Sequence, residues 1–580
     1  MNYGVNTLSH DFERRGELIE DRGPNGDKPR ILIVGGVAGG ASCATRARRL
    51  SEKAKIILFE RGPYVSFANC GLPYYVGDII SGEQKLIVAT PQLFRDRFNI
   101  DVRLEHNVVS IDRTKQEIEV EDLKTSNRYR EKYDALVLAP GASPIRPALP
   151  GINLPGIYSL RTIPDSRDIR NWIVQHNARK AVIVGGGFIG LEMAENLVRR
   201  GISVTIIEMQ NHVMPALDYE MAVPVGSHLL ANGVSLNLGD AVAEFQQNVD
   251  GNLAVKTKLG KSFTTDLTIL AIGIRPEISL AQNAGLDIGV RGGIRVDDRM
   301  RTSDEHIWAV GDAVEVHDYV TEEWTNIPLA GPANRQGRIA AGTILGRDFK
   351  FRGVQSTAVC GVFGLTIAST GLTENAIKRL SDSGKKINYD KVYLYPGHHA
   401  SYYPGAKNMA MKLMFSTEDG RVLGAQAVGE EGTDKRIDVI SMAIQSGATV
   451  YDLEEAELCY APQFGAAKDP FNIAGMIAAN ALRGDSPTFH WEDMANTKAF
   501  ILDVRNPSEY AAGHIEGAIN IPLNELRSRI NELPSDGEIL TYCTVGQRSY
   551  YAARALRLNN FNARNISGGM YTYEKMEPAK

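Results

Sequence analysis

The apolar residues of the chain first gather in a short run, Ile31-Leu-Ile-Val34, which predicts a strand. It leads into Gly35-Gly-Val-Ala-Gly-Gly40 and then an Ala- and Arg-rich stretch of helical character. The same order returns about 150 residues later as Ala181-Val-Ile-Val184, Gly185-Gly-Gly-Phe-Ile-Gly190 and the helical Leu191-Glu-Met-Ala-Glu-Asn-Leu-Val198. Two such strand, loop and helix units predict two doubly wound α/β nucleotide-binding domains, and two sites imply a relay between two cofactors. From about Phe351 to Asn480 no Gly-rich loop recurs, and mixed strand and helix patterns predict an α+β domain. The polar, Pro-containing Gly484-Asp-Ser-Pro487 reads as a linker. Beyond it, Phe500-Ile-Leu-Asp-Val504 begins a last small α/β domain.

Length and charge narrow the function classes. A chain of 580 residues is long enough for about three to five domains. With 64 Lys plus Arg against 69 Asp plus Glu the formal charge is −5, and no long basic block is present, which argues against nucleic acid or an anionic membrane as partner. No segment approaches about 18 consecutive apolar residues, so no membrane-spanning helix is expected. Met1 to Arg30 lacks the apolar core of a signal peptide and reads as a flexible extension, so a cytoplasmic protein is expected. The five cysteines, at 43, 70, 360, 459 and 543, are odd in number and scattered, which suits a reducing compartment better than a disulfide framework.

At a glycine turn that opens a helix, backbone N–H groups and the helix dipole face a pyrophosphate, while an acid about 20 residues on takes the ribose hydroxyls. The second loop has all three glycines, Gly185, Gly187 and Gly190, and Glu208 ends the next strand. A carboxylate there repels a 2′-phosphate, so NADH is expected over NADPH. The first loop has Gly35 and Gly40 but Val37 at the middle position, and its acid is Glu60. Leu138-Ala-Pro-Gly141 and Ile307-Trp-Ala-Val-Gly311-Asp312, added to this loop, resemble the flavin-binding elements of two-dinucleotide-domain flavoproteins. That resemblance implies FAD on the first domain, with Asp312 on its ribityl chain, and NADH on the second, with Phe188 gating the flavin face.

In the segment Ser66-Phe-Ala-Asn69-Cys70-Gly-Leu-Pro-Tyr-Tyr75 the thiol of Cys70 comes ten residues past Glu60. This segment resembles the active-site motif of coenzyme A-disulfide reductases, members of the pyridine nucleotide-disulfide oxidoreductase family. The likeness extends over about residues 30 to 480 and implies that Cys70 lies beside the flavin. Most disulfide reductases carry a second cysteine there. This chain has one, which can form a mixed disulfide or persulfide with an external thiol, or be oxidised to sulfenate. Thiolate character is expected from the flavin environment and a helix N-terminus. His399-Ala-Ser-Tyr402-Tyr403-Pro-Gly405 and Tyr460-Ala-Pro-Gln-Phe464 look like the family's dimerisation motifs, which implies a homodimer in which Tyr402 and Tyr460 serve the partner's Cys70. A bound CoA is implied as well. Ser42, Arg46 and Arg49 fall at i, i+4 and i+7 on one helix face, where the guanidiniums could grip its phosphates, and Ser66, Asn69 and Lys468 are carried over as further contacts. His398 and His399, adjacent on an extended segment, should point to opposite faces, so no metal is predicted. Cys43, Cys360 and Cys459 read as buried apolar residues.

The C-terminal segment, with Asp503-Val-Arg505, Glu509, Gly513-His514-Ile-Glu-Gly517 and Cys543-Thr-Val-Gly-Gln-Arg548, resembles a single-domain rhodanese. Such a loop turns backbone N–H groups inward and, with Arg548 and the helix dipole, favours a thiolate or persulfide anion, so Cys543 is implied as a sulfane-sulfur carrier. Four residues separate Cys543 from Arg548, one fewer than in tyrosine-phosphatase loops, and the smaller cradle suits sulfur. The domain map is then an extension at 1–29, an FAD-binding domain at 30–155 and 286–350, an NADH-binding domain at 156–285, a dimerisation domain at 351–482, a linker at 483–490 and a rhodanese domain at 491–580. The expected function is NADH-driven, FAD-dependent reduction of CoA persulfide, polysulfide or CoA disulfide. An NADH oxidase or peroxidase cycling through sulfenate at Cys70 and a redox-sensing thiol switch are the alternatives.

Overall fold

The computed structural model describes residues 29–248 and 251–576; all but the last residue of the 1–29 extension lies outside the described residues. The first apolar run is strand Arg30–Val34, in the middle of a parallel sheet. Its order is Ile307–Ala309, Ala135–Leu138, Arg30–Val34, Lys55–Glu60, Asp101–Leu104. The outermost strand arrives some 170 residues after its neighbour in the sheet (307 − 138 = 169), so the intervening chain is an insertion. That insertion carries the second parallel sheet, ordered Ser235–Leu238, Ser203–Glu208, Lys180–Val184, Leu267–Leu270, Ile157–Ser159. Both central strands are buried on both faces, which is why they read as continuous apolar runs.

Helix Ala38–Leu50 packs against helix Ala330–Ile344, and small residues make the crossing possible. A Cβ on Gly337 would stand 2.2 Å from the Gly39 carbonyl oxygen. The α+β domain is a five-stranded antiparallel sheet in the order Ala358–Val362, Leu365–Gly371, Val422–Gly429, Met409–Ser416, Tyr389–Leu394. The last sheet is parallel and begins within the expected linker. Thr488–Phe489 pairs with Asn562–Ile566, so this part of 483–490 is an edge strand rather than a tether. The reason is burial: Phe489 is covered by the C-terminal domain's own apolar cluster.

Three parts of the chain meet at a buried ionic cluster. Lys412, fully buried, places its ammonium 2.8 Å from Asp218, 2.5 Å from Glu220 and 2.5 Å from Glu374. Lys391 pairs with Glu374 and with Glu492 of the C-terminal domain. Gln426 and Tyr393 donate to Asp218 and Glu220. Asp218, Glu220 and Glu374 form the one metal-like carboxylate cluster among the described residues, and the Lys412 ammonium fills it. No helix among those residues is long and apolar enough to cross a membrane.

Lys412→Met leaves three carboxylates without their central cation and should cost about 3–5 kcal/mol, read as a drop in Tm. Burial opposes ionisation of Glu374, but Lys412 and Lys391 outweigh it and hold the carboxyl well below its usual value. Its stabilising contribution is therefore complete above about pH 4.3 and is lost as pH falls below that. Acid unfolding of Lys412→Met should show a shallower dependence on pH than that of the parent chain.

Candidate active site

At the first loop a Cβ on Gly35 would lie 2.0 Å from the Ala139 carbonyl oxygen, and one on Gly40 would lie 1.9 Å from the Gly35 oxygen. At the second loop the matching distances are 2.4 Å from Gly185 to Ala271 and 2.1 Å from Gly190 to Gly185. Gly187, where Val37 stands in the first loop, has open space beside it. The two acids repeat one pattern. Glu60 accepts from the N–H groups of Gly36 and Gly62, both at 2.8 Å, and Glu208 from those of Gly186 at 2.7 Å and Gln210 at 2.8 Å. Each carboxylate keeps lone pairs for ribose hydroxyls. Burial raises Glu60, opposed by those N–H groups.

A cavity of about 820 Å³ runs from Gly35 and Glu60 past Gly141 to Asn69 and Arg161, in the upper range of ligand pockets. Gly311 is held by its N–H to Gln336, 2.7 Å away, and has φ +85°. This aims Asp312 at Arg161, 3.4 Å distant. Burial raises Asp312 and Arg161 opposes it. Tight glycine turns and paired acids fit a dinucleotide at each sheet, and the long cleft adds room for one at the first.

Cys70 sits in the turn Asn69–Gly71, which leads into the short helix Leu72–Val76. Ser66 anchors this segment to the first loop. It takes a left-handed φ of 48° and gives its N–H to the Gly36 oxygen at 2.8 Å. The Asn69 carboxamide, in its hydrogen-bonded orientation, accepts from Arg161 at 3.0 Å. Cys70 is open at the mouth of the site, but its thiol is not a thiolate by the protein's own field. Partial desolvation raises it, Glu192 and Asp312 raise it further, and Arg161 only partly opposes them. This corrects the expectation that a helix start lowers it: the turn is short, and desolvation with two carboxylates outweighs it. Glu192, reached by the Tyr74 hydroxyl at 3.2 Å, is itself pushed to about 7, mainly by burial.

Residues 29–337 match the pyridine nucleotide-disulphide oxidoreductase family, 357–469 its dimerisation domain and 486–576 the rhodanese-like domain. The chain is 34% identical to coenzyme A disulfide reductase of Staphylococcus aureus over 451 residues, 78% of this chain and all of that one. The chain belongs to the pyridine nucleotide-disulfide oxidoreductase family. Reduced CoADR-RHD of Bacillus anthracis superposes with a TM-score of 0.91 at 46% identity, covering 94% of this chain and 98% of that one. An NAD-dependent persulfide reductase from A. fulgidus superposes at 0.86 with 37% identity, covering 94% and 100%. FAD and a nicotinamide dinucleotide are the cofactors of this oxidoreductase.

The remaining expected site residues fall into two groups. Ser42, Arg46 and Arg49 do share a face, and the Ser42 hydroxyl bonds to Asn334. Arg338 and Arg347, missed from the sequence, join them: burial lowers Arg46, and repulsion by Arg338, Arg49 and Arg347 adds to it. Three further guanidiniums acting on that of Arg46 concentrate positive charge on this face. Tyr402 and Tyr460 are brought together, hydroxyl to hydroxyl at 2.6 Å, and both are exposed. Lys468 is exposed just ahead of Asp469, which caps helix Pro470–Leu482. Cys459 is exposed, contrary to expectation, because 456–469 is a surface loop, whereas burial pushes Cys43 and Cys360 to about 12. The rings of His398 and His399 lie 4.1 Å apart instead of on opposite faces, because the segment is a loop and not a strand.

In the C-terminal domain Cys543 is fully buried, and its sulfur accepts from the Gly546 N–H at 3.2 Å and the Ser549 hydroxyl at 3.4 Å. Arg548, expected to serve this sulfur, is shared: it pairs with Glu509 and donates to Thr544, and Glu509 first and Cys543 after it raise the guanidinium.

Glu192→Gln removes a negative charge beside Cys70. The pH midpoint for iodoacetamide alkylation of Cys70, followed by peptide mass mapping to separate it from Cys459, should move down.

Proposed function

We propose that this oxidoreductase acts as a cytoplasmic homodimer that spends NADH on the sulfur–sulfur bond of CoA persulfide, polysulfide or CoA disulfide. The observation that carries the reading is the open thiol of Cys70 without a partner cysteine: every described cysteine is free and no second one stands at the spacing of an internal disulfide. Its redox partner must therefore be an external thiol. Bound FAD supplies the two-electron link between nicotinamide and sulfur.

The chain's own residues perform the rest. Arg46 and Arg49, with Arg338 and Arg347, bind the phosphates of CoA; Ser42, Ser66, Asn69 and Lys468 complete its contacts. Cys70 attacks the CoA sulfur, so that a CoA–Cys70 disulfide forms and hydrosulfide leaves from a persulfide, or CoA thiol from a disulfide. Two electrons then return both sulfurs to thiols. Tyr402 and Tyr460, from the partner subunit in such a dimer, protonate the departing sulfur; their mutual hydrogen bond raises Tyr460 and keeps it a proton donor. Glu208 selects NADH by repelling a 2′-phosphate. In the rhodanese domain Cys543 loads or unloads sulfane sulfur. The fused domain favours persulfide over simple CoA disulfide.

Anaerobic stopped-flow should show the NADH-reduced enzyme reoxidised fastest by CoA persulfide, and mass spectrometry should find CoA on Cys70. Cys70→Ser should lower NADH-driven sulfide release by at least about a thousandfold. Undiminished release sinks the reading, and faster reoxidation by peroxide or oxygen makes the protein a sulfenate-cycling oxidase instead.

A further inference from the structure

The Cys543 loop contains one basic side chain, Arg548, and that guanidinium is already spoken for. Glu509 takes it at 2.7 Å through both carboxylate oxygens. Thr544 closes a triangle, accepting from Arg548 at 2.8 Å and donating to Glu509 at 2.8 Å. The pairing is strong enough to hold Glu509 down to about 2, so it is ionised wherever a thiolate reacts. The nearby Arg505 offers no replacement, being buried and bonded to Asp503 and the Gly513 carbonyl. His514 is stacked on Tyr510 at 3.8 Å, with its Nδ1 at 3.0 Å from the Tyr510 carbonyl oxygen. The sulfur accepts from the Gly546 N–H and the Ser549 hydroxyl, and the Arg548 guanidinium that reaches it is already neutralised by the Glu509 carboxylate, so no unpaired cation is left for a second negative charge.

We propose that Glu509 is a specificity residue of the Cys543 site: by occupying Arg548 it denies a counter-charge to doubly anionic sulfur donors such as thiosulfate, and reserves the loop for low-molecular-weight persulfides. The inference rests on the reading of Cys543 as a sulfane-sulfur carrier. With a persulfide, the Cys543 thiolate attacks the terminal sulfur, the sulfur–sulfur bond breaks, and the electron pair leaves on the donor thiolate. With thiosulfate the same attack expels sulfite, which must depart from a site that holds no second cation. Cyanide then removes the sulfane sulfur as thiocyanate and restores the thiolate, so the cycle needs no other oxidant or reductant.

The test uses the full chain with glutathione persulfide or thiosulfate as donor and cyanide as acceptor, reading thiocyanate. Cys543→Ser supplies the uncatalysed background. The unaltered chain should favour the persulfide by at least about tenfold in kcat/KM, and Glu509→Gln should raise the thiosulfate-to-persulfide ratio by at least about tenfold. Retained Cys543-dependent persulfide turnover reports that the variant's rhodanese domain is folded. A merely structural Glu509 would lower both donors alike. An unchanged ratio in a folded Glu509→Gln chain overturns the proposal, as does equal use of both donors by the unaltered chain, which carries no folding risk. Persulfide turnover that survives Cys543→Ser instead overturns the carrier reading itself.

Discussion

A carbonyl oxygen stands far inside contact distance of where a side chain would begin at Gly35, Gly40, Gly185 and Gly190, at 1.9 to 2.4 Å. Only a residue without Cβ lets the strand end, the turn and the helix start converge in this way. Everything at the reactive centre inherits its place from that contact. The convergence presents the second glycine's N–H to Glu60 or Glu208, and through the Gly36 oxygen it pins Ser66, four residues before Cys70. Val37 is tolerated in the first loop because the tight contacts fall on the outer glycines, as the open space at Gly187 also indicates.

A second constraint joins the parts. The ionic cluster around Lys412 links the nicotinamide-side segment 218–220, the antiparallel sheet and, through Lys391 and Glu492, the rhodanese domain. Such a buried cluster is weak as a source of net stability but demanding in geometry, because each charge needs its partners in place. The rhodanese domain is seated further by Thr488 and His490 on Asp390, at 2.9 and 2.6 Å, and by Ser567, which accepts from the Tyr393 N–H. The antiparallel sheet of the dimerisation domain is thus also the seat of the rhodanese-like domain.

Electrostatics separates the two cysteines to which the proposed function assigns chemistry. Cys70 is open, yet partial desolvation, Glu192 and Asp312 hold its proton on, so its reactivity awaits what binds beside it. Cys543 is closed and receives two hydrogen bonds from its own loop, while the cation that a motif reading assigns to it is neutralised by Glu509. The first site is governed by its visitors and the second by its own scaffold.

From the residues alone the two glycine loops, their acids, the solitary Cys70 and the Cys543 loop were legible, because each is a local pattern: apolar run, turn and helix lie within some thirty residues, and backbone geometry there depends on near neighbours. The shared face of Ser42, Arg46 and Arg49 was legible for the same reason. Arg338 and Arg347 beside Arg46, Arg161 on Asn69 and Asp312, Glu192 near Cys70 and Glu509 on Arg548 were not, since each meets its partner across a tertiary contact that no spacing encodes. Cys459 was misplaced because composition does not reveal which loops fold outward. Which chemistry is present was written in sequence. The charge state of each reacting group was decided by folding, because Coulomb interaction and desolvation depend on distance through space and not along the chain.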